Sequence, residues 1–151
     1  MIEGVILKPL RRIVDERGYL MEILRSDEEA FRKFGQAYVS ACFPGIVKAW
    51  HCHQVQFDHF CCVSGNLKVG LYDDRSDSPT RGQTHSAVIG DLNPMLVCIP
   101  PQVWHGFTAI GGQPAIVLNI PTEVYCYENP DELRRDPFDP DIPFVWRSEG
   151  W

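Results

Sequence analysis

The sequence predicts an all-β protein built as a sandwich or a barrel. Short apolar runs recur along the chain, and residues that favour turns (Gly, Pro, Asn and Asp) separate them. These turn signals return roughly every eight to twelve residues, a spacing typical of antiparallel sandwiches and barrels. The main runs, in chain order, are YVSACF, FDHFCCV, LKVGLYD, SAVIG, MLVCIP, HGFTAI and AIVLNIP.

One short helix is expected in the N-terminal part, from Ser26 to Gly35. Ser26 offers an N-cap, and Glu29 follows at the position from which a glutamate returns the hydrogen bond. Ala30 and Phe31 come next, and Gly35 supplies a stop signal.

The connections and the C-terminal segment are marked by Gly and Pro. Ser64-Gly65-Asn66 and Gly111-Gly112 predict tight turns between strands. From Asp131 onward the chain is rich in Pro and Asp, so it cannot form a central strand or a long helix. We expect this segment to wrap the outside of the barrel or to cover its mouth. The apolar side chains available for docking are Phe138, Ile142, Phe144 and Trp146.

Length and composition restrict the class of protein. A chain of 151 residues is long enough for one domain with a real core, which we place at 1–151. No apolar run reaches the ~18 residues of a membrane span, and the N-terminus becomes charged too early for a signal peptide. The net charge of −6 argues against general affinity for nucleic acid. We therefore expect a cytoplasmic protein with neither a membrane nor a nucleic acid as partner.

The six cysteines form no CxxC pair, which argues against a zinc or redox motif. We expect them to be buried small apolar residues in a reducing compartment. They are Cys42, Cys52, Cys61, Cys62, Cys98 and Cys126.

The candidate functional residues lie in one spaced motif and one later histidine. The motif runs from Gly45 through His51, His53 and Asp58 to Gly65, and a third histidine, His105, follows the run PPQVW. Two histidines two positions apart on a strand project from the same face. Imidazole and carboxylate groups that converge inside a barrel can bind a metal or carry out acid/base chemistry.

The motif and the PPQVWH run resemble the two conserved motifs of the cupin superfamily. Asp58 stands where that pattern usually has Glu, and Gln102 where it usually has Gly. This resemblance implies a divalent metal such as iron, manganese, nickel or zinc as one alternative. Its ligands would be His51, His53, Asp58 and His105.

A second resemblance covers Gly4 to Trp146, nearly the whole chain. The segment DERGYLME at Asp15–Glu22 is similar to a motif of the dTDP-4-dehydrorhamnose 3,5-epimerase family, and three later segments match the same family in the same order. They are residues 73–82 (from DDR to SPTRG), residues 99–107 (IPPQVWHGF), and residues 139–146, which begin with DPDI and end at Trp146. The chain is identified as a divergent member. The resemblance implies a cupin-type jelly-roll barrel, a homodimer, no required cofactor, and epimerisation of a 4-keto sugar linked to a nucleoside diphosphate.

The same resemblance implies roles for individual residues. His51 matches the position of the family's catalytic base, and His105 matches the family's histidine before Gly-Phe. Asp139 matches the carboxylate that orients the base, and Asp136 is a nearby alternative for that role. The implied substrate-binding residues are Arg17 and Lys48 for the diphosphate, Glu22 and Gln36 for the nucleotide, and His53 in place of a glutamine. A histidine near neutrality can remove the proton next to a ketone, and an aspartate on its other nitrogen fixes the tautomer.

Two departures from the family keep alternatives open. Asp58 replaces a lysine, and Leu118 stands where the family has the tyrosine that protonates the opposite face. Three hypotheses remain: an epimerase or ketoisomerase of nucleotide-linked 4-keto sugars, a metal-dependent cupin enzyme, and a catalytically silent protein that binds a nucleotide sugar. We expect the first, in carbohydrate or polysaccharide biosynthesis.

Overall fold

The computed structural model describes residues 1–147, and within this range the regular secondary structure is entirely β. The strands are β1 (Ile6–Pro9), β2 (Arg12–Asp15), β3 (Gly18–Met21), β4 (Tyr38–Cys42), β5 (Val47–Cys52), β6 (Asp58–Ser64), β7 (Asn66–Asp73), β8 (Thr84–Gly90), β9 (Met95–Ile99), β10 (Val103–Ala109), β11 (Ala115–Asn119) and β12 (Leu133–Arg134). Among these residues, no helix has the length and apolar character needed to cross a bilayer.

The strands form two five-stranded sheets and a separate hairpin. Sheet I has the order β1-β9-β6-β11-β4, sheet II has the order β12-β5-β10-β7-β8, and β2 pairs with β3. The strand pairs within both sheets are antiparallel. The all-β prediction is confirmed.

An apolar core joins the two sheets face to face. Phe60 of β6 meets Phe107 of β10 edge to face, with ring centroids 5.7 Å apart. Leu67, Val69 and Leu71 of β7 are fully buried at alternate positions, as expected for a strand with one face on a core. Burial of each such side chain stabilises the fold by about 1.5–3 kcal/mol, so this core fixes the two sheets that carry the site.

The predicted helix at 26–35 is wrong: these residues form turns and extended chain. The local helix signals are outweighed by contacts with distant residues. Glu28 forms an ion pair with Lys8. The carbonyl of Ala30 accepts a hydrogen bond from His59 Nε2 at 2.8 Å, and the N–H of Gly35 donates to the carbonyl of Pro121 at 3.0 Å. These contacts use backbone groups that a helix would pair internally.

The Pro-rich segment begins as an edge strand and continues along the outer face of sheet II. Its first part, β12, pairs with β5. Ile142 and Trp146 are then buried in a cluster that includes Trp50, whose ring centroid lies 4.7 Å from that of Trp146. Phe138, which we expected to dock, is 70% exposed. The segment is therefore anchored by its last apolar residues.

The tight turn predicted at Ser64-Gly65-Asn66 joins β6 to β7. Gly65 has φ +75, and a Cβ there would lie 2.7 Å from the carbonyl oxygen of Pro114, so this turn requires glycine.

The cysteines carry free thiols, and five of the six are buried as predicted. Burial raises the pKa of the Cys52 thiol to about 12, which keeps it protonated and unreactive. Cys126 is exposed, against the prediction.

Candidate active site

A cavity of about 700 Å³ lies between the two sheets and receives polar side chains from both. Sheet I contributes Tyr38 from β4, Asp58 from β6 and Asn119 from β11, and sheet II contributes His51 from β5 and His105 from β10. The alternation of β5 explains one side of this arrangement. Trp50 points to the outer cluster, so His51 points inward.

His51 is held by a carboxylate at one ring nitrogen. Nδ1 of His51 lies 2.8 Å from Oε1 of Glu132, whose side chain is only 12% exposed. Because the carboxylate accepts the Nδ1–H, the neutral ring keeps its lone pair on Nε2. Burial and the nearby imidazole of His105 hold the pKa of His51 below its ordinary value, and the Glu132 charge opposes this shift only in part. His51 is therefore neutral near pH 7, as a general base must be.

Glu132 was missed by the sequence analysis, which assigned the orienting carboxylate to Asp139. The structure places Asp139 elsewhere: its Oδ2 accepts a hydrogen bond from Arg135 Nε at 2.7 Å, and Asp139 does not line the cavity. Asp136, the rival, is an exposed residue that accepts from the N–H of Phe138. Glu132 reaches His51 because β12, which begins at the next residue, pairs with β5.

A second group of polar side chains meets at Asp58. Oδ2 of Asp58 lies 3.2 Å from His53 Nε2 and 3.0 Å from His105 Nε2. Its Oδ1 accepts hydrogen bonds from Gln56 Nε2 at 2.9 Å and from Asn119 Nδ2 at 2.8 Å. The predicted convergence of these two histidines with Asp58 is thus present, and Gln56 and Asn119 complete it.

Asp58 and His53 stabilise each other's charged forms. Burial alone would raise the pKa of Asp58, but hydrogen bonds from His105 and His53 hold it far below its usual range. Burial alone would lower the pKa of His53, but its hydrogen bond to Asp58 and the charge of that carboxylate raise it. Asp58 is therefore ionised at the pH values at which an enzyme works, and His53 tends to carry a proton.

The donor set at Asp58 also fits a divalent metal. One oxygen or nitrogen ligand atom from each of His53, Asp58 and His105 lies within 4.8 Å of the others. The Nδ1 atoms of the two histidines face backbone carbonyls, of Asp131 for His53 and of Val103 for His105. A cation that displaced the protons shared between the Nε2 atoms and Asp58 would therefore meet both Nε2 lone pairs. Two imidazoles and a carboxylate suit zinc, iron or manganese. His51, the fourth predicted ligand, lies outside this group of ligand atoms and pairs with Glu132.

The predicted substrate-binding residues divide into two sets. Lys48, Gln36 and His53 line the cavity. Lys48 Nζ donates to Ser40 Oγ at 2.9 Å, and Gln36 Oε1 accepts from the backbone N–H of Tyr125 at 3.3 Å. Arg134, which the sequence analysis did not single out, adds a second cation to the cavity wall.

The other two predicted residues lie away from the cavity. Arg17 forms an ion pair with Asp15 in the β2–β3 hairpin, and its side chain is 85% exposed. Glu22 pairs with Arg25 at 3.1 Å on the surface. Neither residue lines the cavity of the chain that carries it.

The departure at Leu118 has a clear consequence in the structure. On β11, Val117 and Asn119 line the cavity, and Leu118 between them does not. The strand beside β11 supplies a phenol instead, because Tyr38 pairs with Asn119 in the register of β4 and β11. Tyr38 also lines the cavity, and its Oη accepts a hydrogen bond from Asn119 Nδ2 at 2.9 Å.

Gln102, at the position where the cupin pattern usually has glycine, adopts φ 64. This left-handed conformation costs a residue with a Cβ about 1–2 kcal/mol. The strained turn has a function in the site: the N–H of Gln102 donates to the carbonyl of His53 at 2.7 Å. The turn therefore positions both His53 and the start of β10, which carries His105.

Comparison with known proteins gives a consistent result. The family model described as dTDP-4-dehydrorhamnose 3,5-epimerase matches residues 1–150. A probable low-salt glycan biosynthesis epimerase of Haloferax volcanii is 45% identical over 140 residues, which cover 91% of this chain and 89% of that protein. The spore coat polysaccharide biosynthesis protein SpsL of Bacillus subtilis is 40% identical over 149 residues, 99% of each chain.

Solved structures show the same fold. A dTDP sugar isomerase from Desulfovibrio desulfuricans superimposes with a TM-score of 0.90 at 38% identity, covering 96% of this chain and 92% of the other. The 4-keto-6-deoxy sugar epimerase NovW, from the novobiocin biosynthetic gene cluster of Streptomyces spheroides, gives a TM-score of 0.87 at 26% identity, covering 97% and 76%. The predicted cupin-type jelly-roll fold is confirmed.

Proposed function

The chain belongs to the dTDP-4-dehydrorhamnose 3,5-epimerase family, and from this we propose that it epimerises a 4-keto-6-deoxy sugar linked to a nucleoside diphosphate. The relatives named as epimerases support the reaction class, and a solved relative is named as a 4-keto-6-deoxy sugar epimerase. The relatives of Haloferax and Bacillus, named for glycan and spore coat polysaccharide biosynthesis, support a role in making a surface polysaccharide. We place the protein in the cytoplasm, where nucleotide sugars are made.

One observation carries the mechanism: Glu132 holds His51 in the tautomer that has a free Nε2. Among residues 1–147, Nε2 of His51 has no protein hydrogen-bond partner, so it is available to a substrate in the cavity. Nε2 removes the proton from a carbon next to the ketone, and the charge of Glu132 stabilises the imidazolium that forms. Proton transfer between side chains and the sugar requires no cofactor.

The enolate oxygen that forms needs positive charge or hydrogen-bond donors nearby. His105 and His53, whose pKa the Asp58 carboxylate raises, line the cavity beside Asp58 and can serve this purpose. Lys48 and Arg134 provide cationic groups on the cavity wall for the diphosphate. Binding of the diphosphate supplies energy that holds the sugar against His51.

Solvent exchange tests the proposal. In heavy water, the wild-type protein should introduce deuterium next to the ketone of a nucleotide-linked 4-keto-6-deoxy sugar. His51→Ala should abolish this exchange and leave affinity for the nucleoside diphosphate largely intact. Exchange that persists in His51→Ala would show that another group is the base. Binding without exchange in the wild type would identify a catalytically silent nucleotide-sugar-binding protein.

A metal-dependent cupin enzyme is the second candidate, because both Nε2 atoms of His53 and His105 point at Asp58 while their Nδ1 atoms face carbonyls. A metal held there would polarise a substrate oxygen as a Lewis acid. Elemental analysis of protein purified without chelator tests this candidate. Stoichiometric metal that falls in Asp58→Ala supports it, and a protein free of metal that still exchanges deuterium excludes it.

We propose that the protein is a homodimer, in which the β2–β3 hairpin is part of the interface. This hairpin exposes apolar side chains of both strands, with Val14 71% and Leu20 59% exposed. Arg17 at its tip could reach a substrate only in the cavity of a second copy, since it lies away from its own. Light scattering should give a dimer for the wild type, and Val14→Lys with Leu20→Lys should shift it towards the monomer.

A further inference from the structure

A phenol stands across the cavity from the proposed base. Tyr38 lies on β4 at the edge of sheet I, and His51 lies on β5 of sheet II. Both side chains line the same cavity. A sugar ring held between the two sheets would therefore present one face to His51 and the other to Tyr38.

The hydroxyl of Tyr38 is oriented by an amide that is itself fixed. Asn119 Oδ1 accepts from the backbone N–H of His59 at 2.9 Å, so its Nδ2 must point the other way. That Nδ2 donates both to Tyr38 Oη at 2.9 Å and to Asp58 Oδ1 at 2.8 Å. Tyr38 Oη is thus an acceptor in this contact, and its own hydrogen remains free. Within residues 1–147, no protein group accepts it.

The surroundings of the Tyr38 side chain favour the protonated phenol. Partial burial raises the pKa of Tyr38 above its ordinary value; the hydrogen bond from Asn119 opposes this, and the negative charges of Asp58 and Glu132 add smaller increases. The group is therefore a neutral phenol near pH 7 and can donate a proton. A carbanion next to a ketone is far more basic than a phenolate, so the transfer runs downhill.

We propose that Tyr38 is the catalytic acid that protonates the sugar on the face opposite His51. This inference rests on the proposed epimerase function. His51 Nε2 takes the proton from the carbon beside the ketone, and the C–H electron pair becomes the enolate. The Tyr38 O–H bond then breaks, a new C–H bond forms on the other face, and the ketone is restored. The phenolate regains a proton from water and the imidazolium of His51 returns one to water.

The other phenols of the cavity are less suited to this role. Tyr127 is 85% exposed, and Tyr125 lies outside the strands, stacked edge to face on Tyr127 with ring centroids 5.0 Å apart. Tyr125 is 40% exposed and Tyr38 45%, so exposure does not separate these two phenols; the hydrogen bond from Asn119 to Tyr38 does. Tyr38 is instead part of a strand whose partner, β11, carries the amide that aims it.

The test separates exchange from inversion in Tyr38→Phe. With a nucleotide-linked 4-keto-6-deoxy sugar in heavy water, NMR follows both deuterium entry next to the ketone and the configuration of that carbon. We expect Tyr38→Phe to keep exchange within about tenfold of the wild type, because His51 can return a deuteron to the face it came from. Inversion should fall by roughly 10²–10⁴, the usual contribution of a positioned acid. Tyr125→Phe is the matched control and should keep the wild-type ratio of inversion to exchange.

Two outcomes would overturn the assignment of Tyr38. Inversion at the wild-type rate in Tyr38→Phe would show that another group donates the proton. An equal fall of exchange and inversion would show a structural role only. A wild-type protein that neither exchanges nor inverts would instead refute the epimerase function on which the inference rests.

Discussion

Nδ1 of His51 lies 2.8 Å from Oε1 of Glu132, although the two residues come from distant parts of the chain. This contact determines which nitrogen can act as a base and stabilises the ring once it is protonated. Burial alone would raise the pKa of Glu132, but its hydrogen bond from Arg134 and the charge of His51 lower it, so the carboxylate is ionised near pH 7.

Glu132→Gln should lower kcat for epimerisation by roughly 10²–10⁴ with little change in KM, because the amide cannot stabilise the imidazolium by charge. Steady-state kinetics measures the effect. Asp139→Asn is the matched control and should cost less than about threefold, since Asp139 pairs with Arg135 away from the cavity. A larger loss in Asp139→Asn than in Glu132→Gln would restore the assignment made from the sequence.

The pH dependence of kcat/KM should report the titration of His51. The base works when neutral, and burial lowers its pKa, so activity should fall only below the ordinary histidine value of about 6.5. In Glu132→Gln the acid limb should move to still lower pH, because the carboxylate raises the pKa of His51. An acid limb centred above about 7 would contradict this account of the base.

Much of the site could be predicted because strand geometry is regular. Side chains alternate along β5, so His51 faces the cavity, where it meets Asp58 of β6 and His105 of β10 as expected. The helix prediction failed because it weighed only local signals. Ala30 is buried and bonds through its carbonyl to His59, a contact that no local pattern reveals.

The residues that were missed share one physical cause: long-range register. Glu132 is one of several acidic residues in a Pro-rich segment, and only the pairing of β12 with β5 selects it over Asp139. Tyr38 begins an apolar run and has no motif of its own. It enters the cavity because β4 pairs with β11 so that Tyr38 faces Asn119. Pairing between distant strands is not encoded in the spacing of residues along one strand.

Asp58→Asn should destabilise the fold by about 3–5 kcal/mol near pH 6, because it leaves buried imidazoles without their charged partner. Urea unfolding measures the loss. Asp27→Asn is the control: it removes an exposed, solvent-screened partner of Arg25 and should leave the free energy of unfolding essentially unchanged. A comparably small effect of Asp58→Asn would mean that the buried group is held by its neutral hydrogen bonds alone.

The same pair gives the wild-type stability a dependence on pH. The pKa of His53 is raised in the folded protein, so its contribution is complete below the unfolded value of about 6.5 and is lost as pH rises through the folded value. The free energy of unfolding should therefore decrease as the pH rises above about 6.5. His53→Gln should flatten this slope, and an unchanged slope in that variant would assign the dependence to other groups.

Gln102→Gly should stabilise the protein by about 0.5–1 kcal/mol. Gln102 has φ 64, which costs about 1–2 kcal/mol with a Cβ, and the greater chain entropy of glycine when unfolded offsets part of the gain. The backbone hydrogen bond from residue 102 to the carbonyl of His53 remains, so the site keeps its geometry. Thermal unfolding tests this, with Gln102→Ala as a control that keeps the penalty and should not be stabilised. A less stable glycine variant would show that the Gln102 side chain contributes more than its conformation costs.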